Sequence, residues 1–207
     1  MLTVHHLGVS QSDRIVWLCE ELGIDYTLKR YDRDASRLAP ADYKALSPAG
    51  TAPVITDGEI VLGETNAIIE YIVAKYGDGG LVVGKDAPNF ADYLFWLHFA
   101  NGSLMPAMLI SVLATGDNET ARGLRERATR AFALIEERLG KAAYFAGDQF
   151  TLADIVMLFP LTTMRLFVNW DISGNSNLRA YLQRVTARDA FHRAMAKADP
   201  DLPIKID

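Results

Sequence analysis

Three short segments of this 207-residue chain place hydroxyl, carboxylate and proline residues where backbone N–H groups are free to meet a ligand. The first, Gly8-Val9-Ser10-Gln11-Ser12-Asp13, leaves a strand pattern and opens a helical one. A helix start presents unpaired N–H groups and the positive end of the helix dipole, so an anion such as a thiolate is stabilised there. Ser10 with Asp13 also reads as S-x-x-D, an ordinary capping box, in which the hydroxyl serves the helix instead. Ser12 competes for the cap; if it fills that position, Ser10 lies before the helix and its hydroxyl is free to point at a ligand. The second segment is Thr51-Ala52-Pro53-Val54, a proline that opens a strand after an extended loop. A cis Ala52-Pro53 bond accounts for that proline, and so does a trans turn at an edge strand. The cis form would turn the Ala52 N–H and C=O outward, where an extended cysteinyl peptide can pair with them as a short added strand. The third segment, Gly63-Glu64-Thr65-Asn66, starts another helix. Its hydroxyl and consecutive N–H groups suit a carboxylate, and Glu64 beside them suits an ammonium, which together fit the zwitterionic end of a γ-glutamyl group. Capping of the helix by Glu64 or Thr65 is the plainer alternative.

These segments need rigid elements to hold them. Leu2 to His6 alternates like a strand, and Ile15, Leu18, Cys19 and Leu22 recur at helical spacing until Gly23 ends the helix. Tyr26 to Tyr31 reads as a second strand, Pro40 to Leu46 as a short helix, and Pro53 to Thr56 with Ile60 to Leu62 as a hairpin around Asp57-Gly58. Thr65, Ile68, Ile69, Ile72, Val73 and Tyr76 share one face of a closing helix. The order βαβ, short helix, ββα is the thioredoxin-like arrangement. After a Gly- and Asp-rich linker from Tyr76 to Pro88, strand patterns stop. Helices are expected over 89–113, 118–139, 152–167, 177–187 and 189–197. The sequence thus predicts an α/β domain over 1–80 and an all-α domain over 88–207. Thr151 with Asp154 forms a second capping box, at the start of the 152–167 helix.

Bulk properties narrow the function. Half the residues are apolar and the net charge is -5, as in a folded globular chain of mild acidity, with no basic field for nucleic acid. Cys19 is the one cysteine, so no internal disulfide or CxxC motif exists, and its place on an apolar helix stripe marks a core residue. His5 and His6 point to opposite sides of a strand and are not a metal pair; no metal site is expected. The N-terminus carries no signal-peptide pattern, and Tyr93 to Leu113 is interrupted by His98, Asn101, Ser103 and Pro106, a poor membrane span. A cytoplasmic protein without membrane attachment is expected. A helix apolar around much of its circumference, as over 93–113, must bury more than one face, which favours self-association.

In order and spacing, LTVHHLGVSQSDRIVWLCEELGIDY, ALSPAGTAPVITDGEIVLGETNAIIEYI, FWLHFANGSLMPAM and FAGDQFTLADIVMLFP resemble matching segments of the cytosolic glutathione transferase superfamily. The likeness is greatest to a bacterial branch similar to fungal-type enzymes, and VSQ resembles the serine-type, theta-like transferases. It extends from Leu2 to about Tyr181. The resemblance implies the glutathione transferase fold and a homodimer, with Ser10 as the catalytic hydroxyl. It also implies that Thr51, Ala52, Pro53, Glu64 and Thr65 bind glutathione as co-substrate. A small hydrophobic electrophile would occupy a pocket carried by the helical domain. Thr51 departs from the family, where a basic or amide side chain often holds the glycyl end. The competing expectation is a protein of the same fold that serves interaction or regulation without transferase activity. A thiol-disulfide reductase would want cysteine in place of Ser10.

Overall fold

The computed structural model describes residues 1–207. Contacts divide it into two compact units, Met1–Gly80 with Thr186–Ile204, and Leu81–Val185 with Lys205–Asp207.

The first unit is built on a four-stranded sheet in the order β2-β1-β3-β4. Strand β1 (Leu2–Leu7) runs parallel to β2 (Thr27–Tyr31) and antiparallel to β3 (Val54–Asp57), which pairs antiparallel with β4 (Ile60–Gly63). The parallel pair requires a crossover, supplied by helix α1 (Asp13–Leu22). Because β1 is central it is covered on both faces, so His5 and His6 are both buried although they point opposite ways. The hairpin closes through Gly58-Glu59, with Gly58 at φ 59°, a conformation that glycine adopts without a Cβ penalty. Helix α2 (Ala41–Lys44) contributes Tyr43 to a cluster with Leu7, Tyr31 and Val54, against which Ala52 packs. Helix α3 (Thr65–Tyr76) buries Ile68, Ile69, Ile72 and Val73. This is the thioredoxin-like arrangement.

Helix α9 (Asp189–Ala198) belongs to this same unit. The sequence reading placed all of 88–207 in the helical domain. Instead α9 lays Ala190, Phe191, Ala194 and Ala198 toward the core, and Phe191 meets Trp17 of α1 edge-on at 5.3 Å between centroids. Burying a phenylalanine of this kind contributes about 1.5 to 3 kcal/mol. Ion pairs fix the register: Arg188 donates to both oxygens of Glu21 at 2.7 Å, and Arg193 and Lys197 both donate to Glu20. Amphipathic spacing reveals that a helix has a face to bury, but not what covers it.

The second unit is all-helical. Helix α4 (Phe90–Phe99) continues through a π-turn at Ala100–Leu104 into α5 (Met105–Leu113), followed by α6 (Glu119–Lys141), α7 (Leu152–Leu161) and α8 (Ser176–Thr186). By length and composition alone Phe90–Leu113 meets the requirement for crossing a bilayer, in contrast to the sequence reading of it as a poor span. It packs on α6 and α7, yet leaves Leu94, Phe95, Leu109, Val112 and Leu113 exposed. The helix expected over 152–167 ends at Leu161 and resumes as a 3-10 turn at Thr163–Leu166. Pro160 lacks an N–H for the helix ladder, and Thr162 leaves helical geometry at φ -126°. The Thr151–Asp154 capping box is formed, and the Asp154 carboxylate also accepts from Phe145 N–H and Tyr181 O–H. Burial pushes the Asp154 carboxyl up to about 6, against the pull of those donors.

Candidate functional site

The loop between β1 and α1 is held from three sides. Gly8 N–H donates to Tyr31 C=O at 2.9 Å, Arg33 donates to the carbonyls of Gly8 and Val9, and Val9 N–H donates to the Asp199 carboxylate at 3.1 and 3.2 Å. Val9 sits at φ 53°, an outlier for a β-branched residue. Such a backbone persists only where its surroundings over-determine it, and Arg33 and Asp199 supply that restraint.

Where the helix begins decides the capping alternative for Ser10. Ser12, not Ser10, stands at the N-cap position of α1, and no side-chain cap bond is made there. The Ser10–Asp13 capping box does not form; Asp13 N–H donates instead to the Ser10 carbonyl. The Ser10 hydroxyl lies 2.7 Å from that of Ser12 and accepts from Ser12 N–H at 3.3 Å. Ser12 is fully enclosed, with Leu7 N–H donating to its oxygen and His6 Nδ1 at 2.9 Å. Ser10 is the outer of the two hydroxyls. On its far side, His6 Nε2 lies 3.1 Å from Asp199 Oδ2.

The Ala52-Pro53 peptide bond is cis. Gln11 Nε2 donates to the Ala52 carbonyl at 2.8 Å, while Gln11 Oε1 accepts from the Arg14 guanidinium and from the Thr65 hydroxyl, the latter at 3.4 Å. Arg14 donates to Thr65 Oγ1 at 3.0 Å. One amide thus links the β1–α1 loop, the cis-proline loop and the start of α3. Thr65 is buried; Glu64 occupies the N-cap position with no side-chain cap bond, exposed and at φ 67°. Neither residue caps α3 through its side chain. Thr51 is exposed beside Ala52.

The electrostatics are those of a buried cation under a hydroxyl. Burial pushes the Arg14 guanidinium down to about 10, opposed by Asp13, so it stays charged at neutral pH. Burial alone would raise the Asp199 carboxyl, but the His6 hydrogen bond and charge, Val9 N–H and Arg30 outweigh it and hold it below its ordinary value. Burial, with Glu20 nearby, pushes the Cys19 thiol up to about 12, which fits an inert core residue. The arrangement can accept an anion at the α1 terminus, an extended peptide along Ala52, and a carboxylate near Thr65 and Arg14.

Sequence reasoning missed Gln11, Arg14 and Asp199, and took His6 only as half of a rejected metal pair. The S-x-S spacing of Ser10 and Ser12 after a strand histidine was the one available signal; nothing local marks Asp199.

Two family models match the chain. The N-terminal domain of glutathione S-transferase matches residues 10–75, and the C-terminal domain of the same family matches residues 98–189. Glutathione S-transferase 3 of Schizosaccharomyces pombe is 33% identical over 96% of this chain and 88% of its own. Glutathione S-transferase 3 of Zea mays is 29% identical over 88% and 87%. The crystal structure of a glutathione S-transferase from Actinobacillus pleuropneumoniae superposes with a TM-score of 0.87 at 34% identity, covering 96% of this chain and 93% of that one.

Proposed function

The chain belongs to the glutathione S-transferase family, and we propose that it binds glutathione, holds the sulfur as thiolate and directs it at an electrophilic carbon, a peroxide oxygen or an activated carbon–halogen bond. The observation that carries this is the outer position of Ser10, ahead of the α1 terminus and tied through Gln11 and Arg14 to Ala52 and Thr65. A free thiol with a pKa near ~8.5 is mostly protonated at neutral pH, and only the thiolate is a good nucleophile. A hydroxyl donating to a charged acceptor contributes roughly 1.5 to 3 kcal/mol, and one pKa unit corresponds to about 1.36 kcal/mol. Ser10 therefore accounts for lowering the bound thiol by about one to two units. The helix end adds about 0.3 to 1 kcal/mol.

In this reading Ala52 pairs with the cysteinyl backbone beside Pro53. Thr65 takes the γ-glutamyl carboxylate, with Arg14 as the charge beneath it, and Glu64 takes the ammonium. Thr51 borders the glycyl end with a short hydroxyl. The helical unit supplies the surface for a small hydrophobic electrophile. A second copy covers the exposed apolar residues of α4 and α5, making a symmetric dimer. The proposal places the enzyme in the cytoplasm, in keeping with its single buried cysteine. Calorimetric titration with glutathione, followed by turnover of aryl halides, peroxides and isothiocyanates, tests the activity. Heat of binding and turnover of one class are expected; no binding at millimolar glutathione would sink the transferase reading in favour of an interaction protein.

A further inference from the structure

The hydroxyl of Ser10 is the end of a buried chain that runs inward. Ser10 Oγ and Ser12 Oγ are 2.7 Å apart, Ser12 Oγ and His6 Nδ1 are 2.9 Å apart, and His6 Nε2 and Asp199 Oδ2 are 3.1 Å apart. All four residues lie in one compact unit and all are buried. A reaction that needs only a hydroxyl donor has no evident use for a histidine and a carboxylate behind it. We propose that His6, oriented by Asp199, takes up through Ser12 and Ser10 the proton that glutathione loses on binding. The proposal deepens the transferase reading and rests on it.

The bonds that join Ser10, Ser12 and His6 allow two settings without moving a heavy atom, and neither uses the longer approach of Ser12 Oγ to the Leu7 carbonyl at 3.4 Å. Asp199 accepts from Val9 N–H and, as a carboxylate, can only accept from His6, so Nε2 carries a proton and Nδ1 faces Ser12. Where Nδ1 is bare, Ser12 donates to it and accepts from Leu7 N–H and from Ser10 O–H. The Ser10 proton then points inward, and its outer lone pair is open to an S–H. Where Nδ1 carries a proton, Ser12 accepts from it and from Leu7 N–H and donates to Ser10. Ser10 then accepts from Ser12 O–H and Ser12 N–H, and its own proton points outward. Only the second setting offers a donor to a thiolate. A hydroxyl pair at 2.7 Å shares one hydrogen, so Ser10, with a single proton, cannot donate to sulfur and to Ser12 at once.

The step that connects the settings balances. The S–H bond breaks and its proton passes to Ser10 Oγ, the Ser10 proton passes to Ser12 Oγ, and the Ser12 proton passes to His6 Nδ1. Both hydroxyls end neutral, the electron pair stays on sulfur, and His6 becomes an imidazolium between Ser12 and the Asp199 carboxylate. No oxidant or reductant enters. Charged groups near this chain include Arg30 on β2, which acts on Asp199, and Arg33 just beyond β2, on the Gly8 and Val9 carbonyls; Asp13 stands in the first turn of α1, next to Ser12 in sequence. The carboxylate of Asp199 opposes the repulsion of the two arginines. His6 and Asp199 are positioning residues, since neither touches the ligand.

The test counts protons and thiolate together on the wild-type protein. Ultraviolet absorbance gives the thiolate formed when glutathione binds, and calorimetry in buffers of different ionisation heat gives the protons released. The relay requires thiolate with clearly less than equal proton release; equal release, with the proton delivered to solvent, overturns it. Asp199→Asn and His6→Gln should each raise the pH midpoint of thiolate formation by about one pH unit or more. Binding of S-methylglutathione, which has no thiol proton, should stay within about twofold, a split that a merely structural role would not give. Folded variants with an unchanged midpoint also overturn the relay. Absence of any glutathione binding to the wild type removes the transferase reading itself, a result distinct from either of these.

Discussion

Gln11 donates its side-chain amide to the Ala52 carbonyl at 2.8 Å, across 41 positions of sequence, and so engages the backbone group that the proposed ligand strand would use. A ligand N–H must share that oxygen with the amide or displace it, and so binds against competition there.

Gln11→Ala should therefore tighten glutathione binding. The bond lost is a neutral one of about 0.5 to 1.5 kcal/mol, which corresponds to roughly a two- to tenfold lower Kd. The same change frees Thr65 and Arg14 from the amide oxygen. Calorimetry of the variant checks this, and a weaker Kd would mean that Gln11 holds the ligand instead of holding its place.

Ser10→Ala should raise the pH midpoint of the bound thiolate by about one to two units and lower kcat/KM about 10- to 100-fold near neutral pH, with the fold retained. The loop survives because Arg33, Asp199 and Tyr31 still hold Gly8 and Val9 when the Ser10 hydroxyl's bonds to Ser12 are lost. An unchanged titration would shift the donor role to a backbone N–H of the α1 terminus.

Thr65→Val keeps the shape of the side chain but leaves the buried Arg14 without one acceptor, at a cost of about 1 to 3 kcal/mol of stability. Glutathione affinity should fall with kcat little altered, because the ligand carboxylate lies far from sulfur, while Thr65→Ser should behave as wild type. Loss of kcat at unchanged Kd would contradict the assignment.

The positions of Ser10, Pro53 and Thr65 at junctions of elements were legible because a hydroxyl or a proline there breaks the periodicity on either side. The succession of elements along the first 80 residues, including α1 and α3, followed from apolar spacing and from Gly23 and Gly58. Other features have no local signature. Asp199 reaches Val9 and His6 from the far end of the chain, and only the packing of α9 on α1 brings it there. Strand periodicity said that His6 faces away from His5, but not that Ser12 waits on that side. Arg14 reads as an ordinary helix charge, and its enclosure follows from the closeness of Gln11 and Thr65. The break at Thr162, whose hydroxyl donates back to the Leu158 carbonyl, has no signature in an apolar run.

The clamp between α1 and α9 carries a pH dependence. Burial alone would raise the Glu20 carboxyl, but hydrogen bonds from Lys197, Tyr26 and Arg193 hold it below its ordinary value. A carboxylate depressed in the folded state contributes stability above its unfolded pKa, near about 4.3, and loses that contribution as pH falls through the folded value. Glu20→Gln should lower the melting temperature at pH 7, and the gap to wild type should close as pH is taken below about 4. Because Asp199 ends α9, the variant should also weaken the hold on the loop at Val9. A gap that stays constant down to pH 3 would show that Glu20 acts through packing alone.

Leu109, Val112 and Leu113 stand on neighbouring turns of α5, exposed to 50%, 56% and 77%. Residues three and four apart share a helix face, so these form a stripe rather than scattered apolar positions, and Phe95 on α4 adds an aromatic ring exposed to 50%. A second copy of the chain is the occupant proposed for this stripe, since a two-fold contact uses the same patch twice. Each fully buried leucine would contribute about 1.5 to 3 kcal/mol to such a contact, enough that two charges placed in it should dissociate the pair. Sedimentation at micromolar protein should show a dimer for the wild type and a monomer for Leu109→Glu with Leu113→Glu, with both folded by circular dichroism. A wild-type monomer, or a double variant that still dimerises, would refute the use of this face.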